Sequence, residues 1–338
     1  MDDESDNWKN AHNGRDLFLS QVIKPLLPNA EFSFTIQNGD FTNPSNTFYG
    51  ILSTNDIFKN SIYAIENDNN LLHFTSLQSL FSILHNGFFR MTELSALDDV
   101  NEMSYASKVF ENNSIFRFNE SAISKSKSKL FCLSACKYHE STIQNSYMWE
   151  SYGAKGKGVI IEFAISNYNA HLFSTGIVKY GSDELEPIRQ LKSRAEEFYS
   201  QHDLFPHNPI ELFSMFKSFH KSFRYHKEKE VRLLFTSNFF GNKTNDYPTL
   251  YQDINRNNQV KYFNKVFLTG NVPKEFMGSN HLPEITIKKV ILGYGLEIEE
   301  KLEIAKSLNS FLNDNFSFEI FHIDNELKLI DLTQLSKF

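Results

Sequence analysis

Residues 71–94 read LLHFTSLQSLFSILHNGFFRMTEL, and this stretch leaves the chain little choice of local structure. LLHF is a short apolar strand. After it, Leu77, Leu80, Phe81 and Leu84 fall at i, i+3, i+4 and i+7, one face of a helix. Thr75 or Ser76 caps the first turn, and Gly87 stands where a left-handed glycine ends a helix. FFRMTEL then returns as a strand. Such a unit sets the last residues of its first strand beside a helix N-terminus, where free backbone N–H groups attract anions. His73 sits at that strand end.

The rest of the chain supplies more strands than helices. KLFCLSAC, GVIIEFAI, EVRLLF, ITIKKVILG and FSFEIFHI are apolar runs of strand length, and YMWESYG reads as a helical turn. Two helices are expected between Pro187 and Lys227, the second with Phe213, Phe216, Phe219 and Phe223 as an apolar stripe. EIEEKLEIAKSLNSFLND is an amphipathic helix. No regular alternation of strand and helix runs through the order. The expected fold class is therefore α+β, with mixed central β-sheets and flanking helices. The 33 Phe carry no polar group to satisfy, so most of them belong to the core.

The first seventy residues read as a separate piece. RDLFLSQVIKPLL gives a short helix stopped by Pro25 and Pro28. EFSFTIQNGDF gives a strand running into a tight turn at Asn38-Gly39. ENDNN is a linker, so the expected division is an extension over 1–70 and a main domain over 71–338.

Charge and cysteine content exclude several classes. A formal net charge of −7 argues against a protein that coats nucleic acid by neutralising phosphates, while leaving room for a local basic face. The KSKSK run over Lys125–Lys129 and the AKGKG run over Ala154–Gly158 read first as solvated loops. Cys132 and Cys136 are too few for a disulfide scaffold and lack the spacing of a metal cluster, so they read as small buried residues. The polar N-terminus has no apolar leader, and no apolar run reaches membrane-spanning length. A soluble cytoplasmic protein without membrane partners is the expectation.

Three groups carry candidate chemistry. His73 is the first, able to bond a ribose hydroxyl or a phosphate, or simply a backbone group. Glu228, Glu230 and Arg232 in HKEKEVRLLF are the second. On a strand they share a face, where two carboxylates repel and an acid–base or cation-stabilising role becomes available. A plain Glu230–Arg232 ion pair is the bland alternative. The third is SYMWESYGAKGKGVIIEF, where Trp149 and Tyr152 sit one turn apart as an aromatic wall beside Gly153, Gly156 and Gly158. No dinucleotide or P-loop glycine fingerprint is present. Asp98, Asp99 and Glu102 form a carboxylate cluster that reads as helix capping rather than a metal site.

Taken together, LLHFTSLQSLFSIL…G, ELSALDDVNE, FCLSA, MWESYG…GKGVIIEF, EKEVRLLF and KKVILG resemble the uncharacterised DUF2971 family. The resemblance runs from Leu71 to the C-terminus. It departs at Asp98-Asp99-Val100, where the family more often has Asn-Asp-Pro, and in lacking a tryptophan shortly before Glu228. The layout is also similar to ADP-ribosyltransferases of the His–Tyr–Glu type, including nucleic-acid-modifying toxins. That similarity rests on His73, Thr75, Leu80, Ile83, Leu84 and Gly87 at the start and on Glu230-Val231 at the end.

The resemblance implies an ADP-ribosyltransferase-like core and NAD as substrate. It implies that His73, assisted by Thr75, holds the nicotinamide ribose. Glu230 would bind the 2′-hydroxyl and stabilise the oxocarbenium-like transition state, and Tyr152 or Ser134 would fill the middle position. Trp149 would stack on nicotinamide, Arg90 would meet the pyrophosphate, and Glu228 would serve the acceptor as base. The implied acceptor is a macromolecule, RNA or DNA ahead of protein. The implied setting is a toxin or anti-phage effector with an antitoxin or regulatory partner. NAD hydrolysis, or a silent module sensing a nucleotide or phage protein, are the rival readings.

Overall fold

The computed structural model describes residues 14, 16–36, 47–52, 57–65, 70–96, 103–110, 124, 127–166, 173–202, 215–237, 250–254, 260–274, 282–312, 317–324 and 326–332. Asn38-Gly39, residues 66–69 of the ENDNN linker, Lys125 and Ser126 of the KSKSK run, Asp98, Asp99, Glu102 and Phe213 lie outside them.

β1 (Glu31–Ile36) and β2 (Thr47–Leu52) pair with each other as an antiparallel hairpin. β3 (Asn70–Thr75), β4 (Phe88–Glu93), β5 (Leu130–Lys137), β6 (Val159–Ser166), β7 (Phe173–Ile177), β10 (Glu230–Thr236), β11 (Tyr251–Ile254), β12 (Val260–Leu268), β13 (Glu284–Leu292), β14 (Glu319–Ile323) and β15 (Leu329–Asp331) form one continuous sheet. β8 (Lys179–Tyr180) and β9 (His220–Lys221) make a short parallel pair. Among the described residues the longer α-helices are α1 (Leu77–Asn86), α2 (Ser146–Ser151), α3 (Glu186–Gln201) and α4 (Ile298–Asn309).

The large sheet closes on itself. In the order β12–β4–β5–β3–β6–β13, each strand is antiparallel to the next, and β13 returns to β12 as a parallel neighbour through Phe267–Glu284 and Leu268–Ile285. The result is a six-stranded mixed β-barrel with extra strands, in a mixed α+β protein. Leu71, Phe89, Met91, Leu133, Ile161, Phe163 and Ile285 share its buried interior cluster, joined by Leu80 and Leu84 of α1 and Ala305 and Leu308 of α4. A β-bulge between Ile287 and Lys289 keeps Val290 and Leu292 on the same inner face as Ile285 and Ile287. Bulges bend and twist a strand, which closure of so few strands demands.

The opening unit folds as its pattern dictates. Ser76, rather than Thr75, caps α1 by accepting the Ser79 N–H, and Gly87 ends it at φ 72°. Phe18, Val22, Ile23, Ile57, Phe58 and Tyr63 pack in one cluster with Leu94, Leu130, Phe216, Phe219 and α3. These six side chains of the first seventy residues are therefore buried against the rest of the chain. The stripe expected from Phe213 to Phe223 is not one helix. A single helical turn at 215–217 gives way to β9 and a 3₁₀ turn over Phe223–Glu228, so Phe216 and Phe219 are buried while Phe223 is 63% exposed.

Two glycines lock the barrel's rim. A Cβ on Gly158 would collide with the Thr75 carbonyl oxygen, and one on Gly293 with that of Gly156, each a backbone atom unable to yield. Gly293 also donates its N–H to the Gly158 carbonyl at 3.0 Å. Gly158→Ala is expected to cost at least the ~1–3 kcal/mol of an overpacked core. Urea unfolding checks this through a lower midpoint with an unchanged slope.

Candidate active site

The charged residues of the site are built around β5 and β10. Their antiparallel register sets Glu230 opposite Cys136, Arg232 opposite Ser134 and Leu234 opposite Cys132. Glu230 and Arg232 lie two residues apart and therefore on one face. Arg232 has no exposed surface, so its charge must be met inside the protein. Its Nε donates to Glu230 Oε1 at 2.8 Å and one Nη to Oε2 at 3.1 Å, a bidentate pair. The other Nη donates to the Ser218 carbonyl.

Lys221 extends this pair into an array. From the end of β9 its Nζ reaches Glu230 Oε2 at 2.7 Å and Glu228 Oε2 at 3.0 Å. Glu228 is not on the strand. It ends the 3₁₀ turn, and Lys229, left-handed at φ 44°, turns the chain so that both carboxylates meet Lys221. The hydroxyl of Tyr152, just after α2, donates to Glu228 Oε1 at 2.6 Å. The Glu230 N–H donates to the Tyr180 hydroxyl at 2.8 Å. Two buried carboxylates thus face two cations, and the array reaches the surface through Tyr152, which is 45% exposed.

Electrostatics follow from that balance. Burial alone would raise the Glu230 carboxyl, but Arg232 and Lys221 outweigh it and bring its pKa down to about 2. Burial and the hydrogen bond to Glu228 push the Tyr152 hydroxyl up. Burial, with the neighbouring Glu230 and Glu228 charges, also raises the Cys136 thiol, so no thiolate nucleophile is available there.

His73 stands apart from this array. Along one edge β5 pairs with β3 at Cys136–Lys137 and with β4 at Phe131–Cys132, leaving the stretch between them without a strand partner. The His73 imidazole fills the gap, its Nδ1 bonding the Ser134 carbonyl at 3.0 Å. A carbonyl accepts only, so Nδ1 carries the proton and Nε2 keeps its lone pair. Burial lowers the His73 pKa, with the Ser134 bond opposing, and the ring is neutral at pH 7. Leu72 pairs with Cys136, which pairs with Glu230, so these three share the outer face. His73, next to Leu72, projects inward against Phe89. The structure therefore gathers Glu228, Glu230 and Tyr152, and sets His73 on the other face of the sheet.

The remaining expected residues scatter. Thr75 ends β3, half-buried on the same inner face as His73. Ser134 contributes its carbonyl to His73, while its hydroxyl lies 3.5 Å from Cys132 Sγ. Trp149 forms no wall, because it is fully buried, donates Nε1 to the Ile143 carbonyl at 2.7 Å and packs edge-on against Phe74. Arg90 is held on β4 by Asp253 at 2.5 Å and lies over the Phe263 ring. Sequence reasoning misses Lys221 and Tyr180. Lys221 and Glu228 are seven positions apart, and no local periodicity links them. Among the described residues no group of three His, Cys, Asp or Glu is placed to hold a metal ion, and no helix is long and apolar enough to cross a membrane.

The array's rim is cationic and aromatic. Arg224, Lys227 and Lys229 are exposed, and Phe223 stacks on His226 with centroids 4.4 Å apart. Tyr225 lies between Lys221 at 5.4 Å and Arg224 at 4.5 Å from its ring.

Lys221→Met leaves two buried carboxylates facing each other and is expected to cost ~3–5 kcal/mol at neutral pH, as for other broken buried pairs. The deficit should narrow as pH falls, because one carboxylate then takes up a proton. In the native protein the sign is opposite. The Glu230 pKa is depressed from 4.5 to about 2, so its contribution is present above 4.5 and lost as pH falls through 2. Urea unfolding of both chains across that range checks both signs.

Residues 148–233 match the family model described as "Protein of unknown function (DUF2971)". The matched span holds Tyr152, Tyr180, Lys221, Glu228, Glu230 and Arg232, and does not include His73, Thr75, Arg90 or Ser134. No curated protein and no solved structure matches the chain.

Proposed function

We propose that the chain is an NAD-consuming ADP-ribosyltransferase whose reaction centre is the Tyr152–Glu228–Lys221–Glu230 array. One observation carries this reading. Glu228 is a buried carboxylate whose Tyr152 partner, at 2.6 Å, is itself open to solvent. Breaking the bond between nicotinamide and ribose C1′ sends the bonding electrons to nicotinamide and leaves positive charge on the sugar. A carboxylate fixed in a protein site stabilises that charge more than water does. The acceptor then bonds C1′ and passes its proton to water.

The roles differ from those the resemblance implies. Glu228 is the carboxylate nearest the substrate. Glu230, saturated by Arg232 and Lys221, is a positioning residue that holds Lys221 against Glu228. Tyr152 orients Glu228 and meets the ribose hydroxyls. Arg224 and Lys227 on the rim, rather than Arg90, take the pyrophosphate, and Tyr225 or Phe223 replaces Trp149 as stacking surface. A macromolecular acceptor, nucleic acid ahead of protein, suits a rim of rings and cations. His73 and Thr75 are left outside the reaction centre.

A second reading has its own support. Both oxygens of Glu228 and of Glu230 already accept bonds from protein groups. A fully satisfied array is what a non-catalytic nucleotide-sensing module needs to stay rigid.

Labelled NAD incubated with the protein and separate pools of RNA, DNA and cell protein tests the choice. Label is expected on one polymer, falling by roughly 10²–10³-fold in Glu228→Gln, the scale of losing one electrostatic stabiliser. Glu228→Gln is a cleaner probe than Glu230→Gln, which also strips the buried Arg232 of its partner. Free ADP-ribose without transfer would make the protein an NAD hydrolase. NAD intact in every pool would leave the sensing module.

A further inference from the structure

The outer face of β4, β12 and β11 is unlike an ordinary solvent-facing sheet. Their inner residues Phe89, Met91, Asn264 and Val266 are buried in the barrel. Polar residues would normally cover the opposite face. Here aromatic rings rise from all three strands, and β12 adds a second, Phe267, buried beside its cross-strand partner Phe88. Phe88 and Phe263 stand 6.5 Å apart at 16°, and Phe263 and Tyr251 5.5 Å apart at 26°, giving a near-parallel row across the three strands.

Cations interleave with the rings. Arg90 lies over Phe263 at 4.5 Å, and Lys265 over Tyr251 at 3.6 Å and Phe88 at 4.5 Å. Lys265 and Arg90 are also direct cross-strand partners, an arrangement of like charges that destabilises a sheet. Burial and the Arg90 charge accordingly lower the Lys265 pKa. Asp253 engages Arg90 at 2.5 Å, leaving the Lys265 side of this pair as the place for a further anion. Both partners of that ion pair are about half exposed, so a ligand can reach them.

We propose that this face is a docking strip for single-stranded nucleic acid. Phosphates would sit between Arg90 and Lys265, and bases would continue the row of rings. Single strands present both phosphates and free base faces, whereas a duplex hides the latter. The net charge of −7 does not forbid this, since exposed charges beyond about 8 Å are screened at physiological salt. The inference is independent of the NAD reading, because no residue of the strip belongs to the carboxylate array.

Fluorescence anisotropy of the full chain with a labelled 20-nucleotide RNA, the same DNA sequence and a duplex, without NAD, tests it. Single strands should bind more tightly than duplex. Arg90→Gln with Lys265→Gln should weaken binding at least tenfold and flatten the salt dependence by about 0.7 for each phosphate no longer neutralised. Asp253→Asn, which removes the competing carboxylate, should tighten binding several-fold, a gain that misfolding cannot imitate. No binding at low salt, equal binding of duplex, or an unchanged or weakened Asp253→Asn would overturn the proposal.

Discussion

A guanidinium with no exposed surface, Arg232 in the middle of β10, is the constraint around which this region is arranged. Removing such a charge from water costs several kcal/mol per ion unless partners are supplied with good geometry. Glu230 supplies the charge and the Ser218 carbonyl takes a remaining donor. The path of the chain before β10 follows from that need. Ser218 and Lys221 must pass close to the strand, so this segment runs extended through β9 instead of continuing as a helix. Lys221 brings a second cation, and Glu228 with Tyr152 completes the balance out to the surface.

The elements are legible in the sequence and their closure is not. Continuous apolar runs such as GVIIEFAI announce buried strands, and the Ser76 and Gly87 punctuation announces α1. The barrel depends on two residue pairs between β12 and β13, which are too few to leave a mark in either pattern. The phenylalanines from 213 to 223 have helical spacing. That spacing loses to the demand of Arg232 for a carbonyl and to the β8–β9 pairing. Local periodicity describes what a segment can be, and a buried charge elsewhere decides which option is taken.

The same distinction runs through the site. Glu228 and Glu230 are visible as a carboxylate pair, though a left-handed Lys229 rather than strand alternation unites them. The orientation of His73 is hidden because LLHF is apolar on both sides, so its pattern carries no inside–outside signal. Only pairing with β5 and β6 reveals it. His73 then proves to complete a hydrogen-bond ladder where two strands part, a role that needs a neutral ring with a proton on Nδ1. Trp149 reads as a wall from its neighbour Tyr152, but helical geometry sends one inward and the other out.

The alternation along β10 has a consequence for folding. Val231, Leu233 and Phe235 enter the apolar cluster, while Glu230 and Arg232 stay on the other face. Sliding β10 by one residue against β5 would exchange the two sets, driving a guanidinium and a carboxylate into hydrocarbon and expelling three large apolar side chains. Such a slipped pairing is penalised twice over. The ion pair that looks like an expense in the finished protein therefore acts as a proofreading device while the sheet assembles, rejecting the near-miss alignments that an all-apolar strand would tolerate.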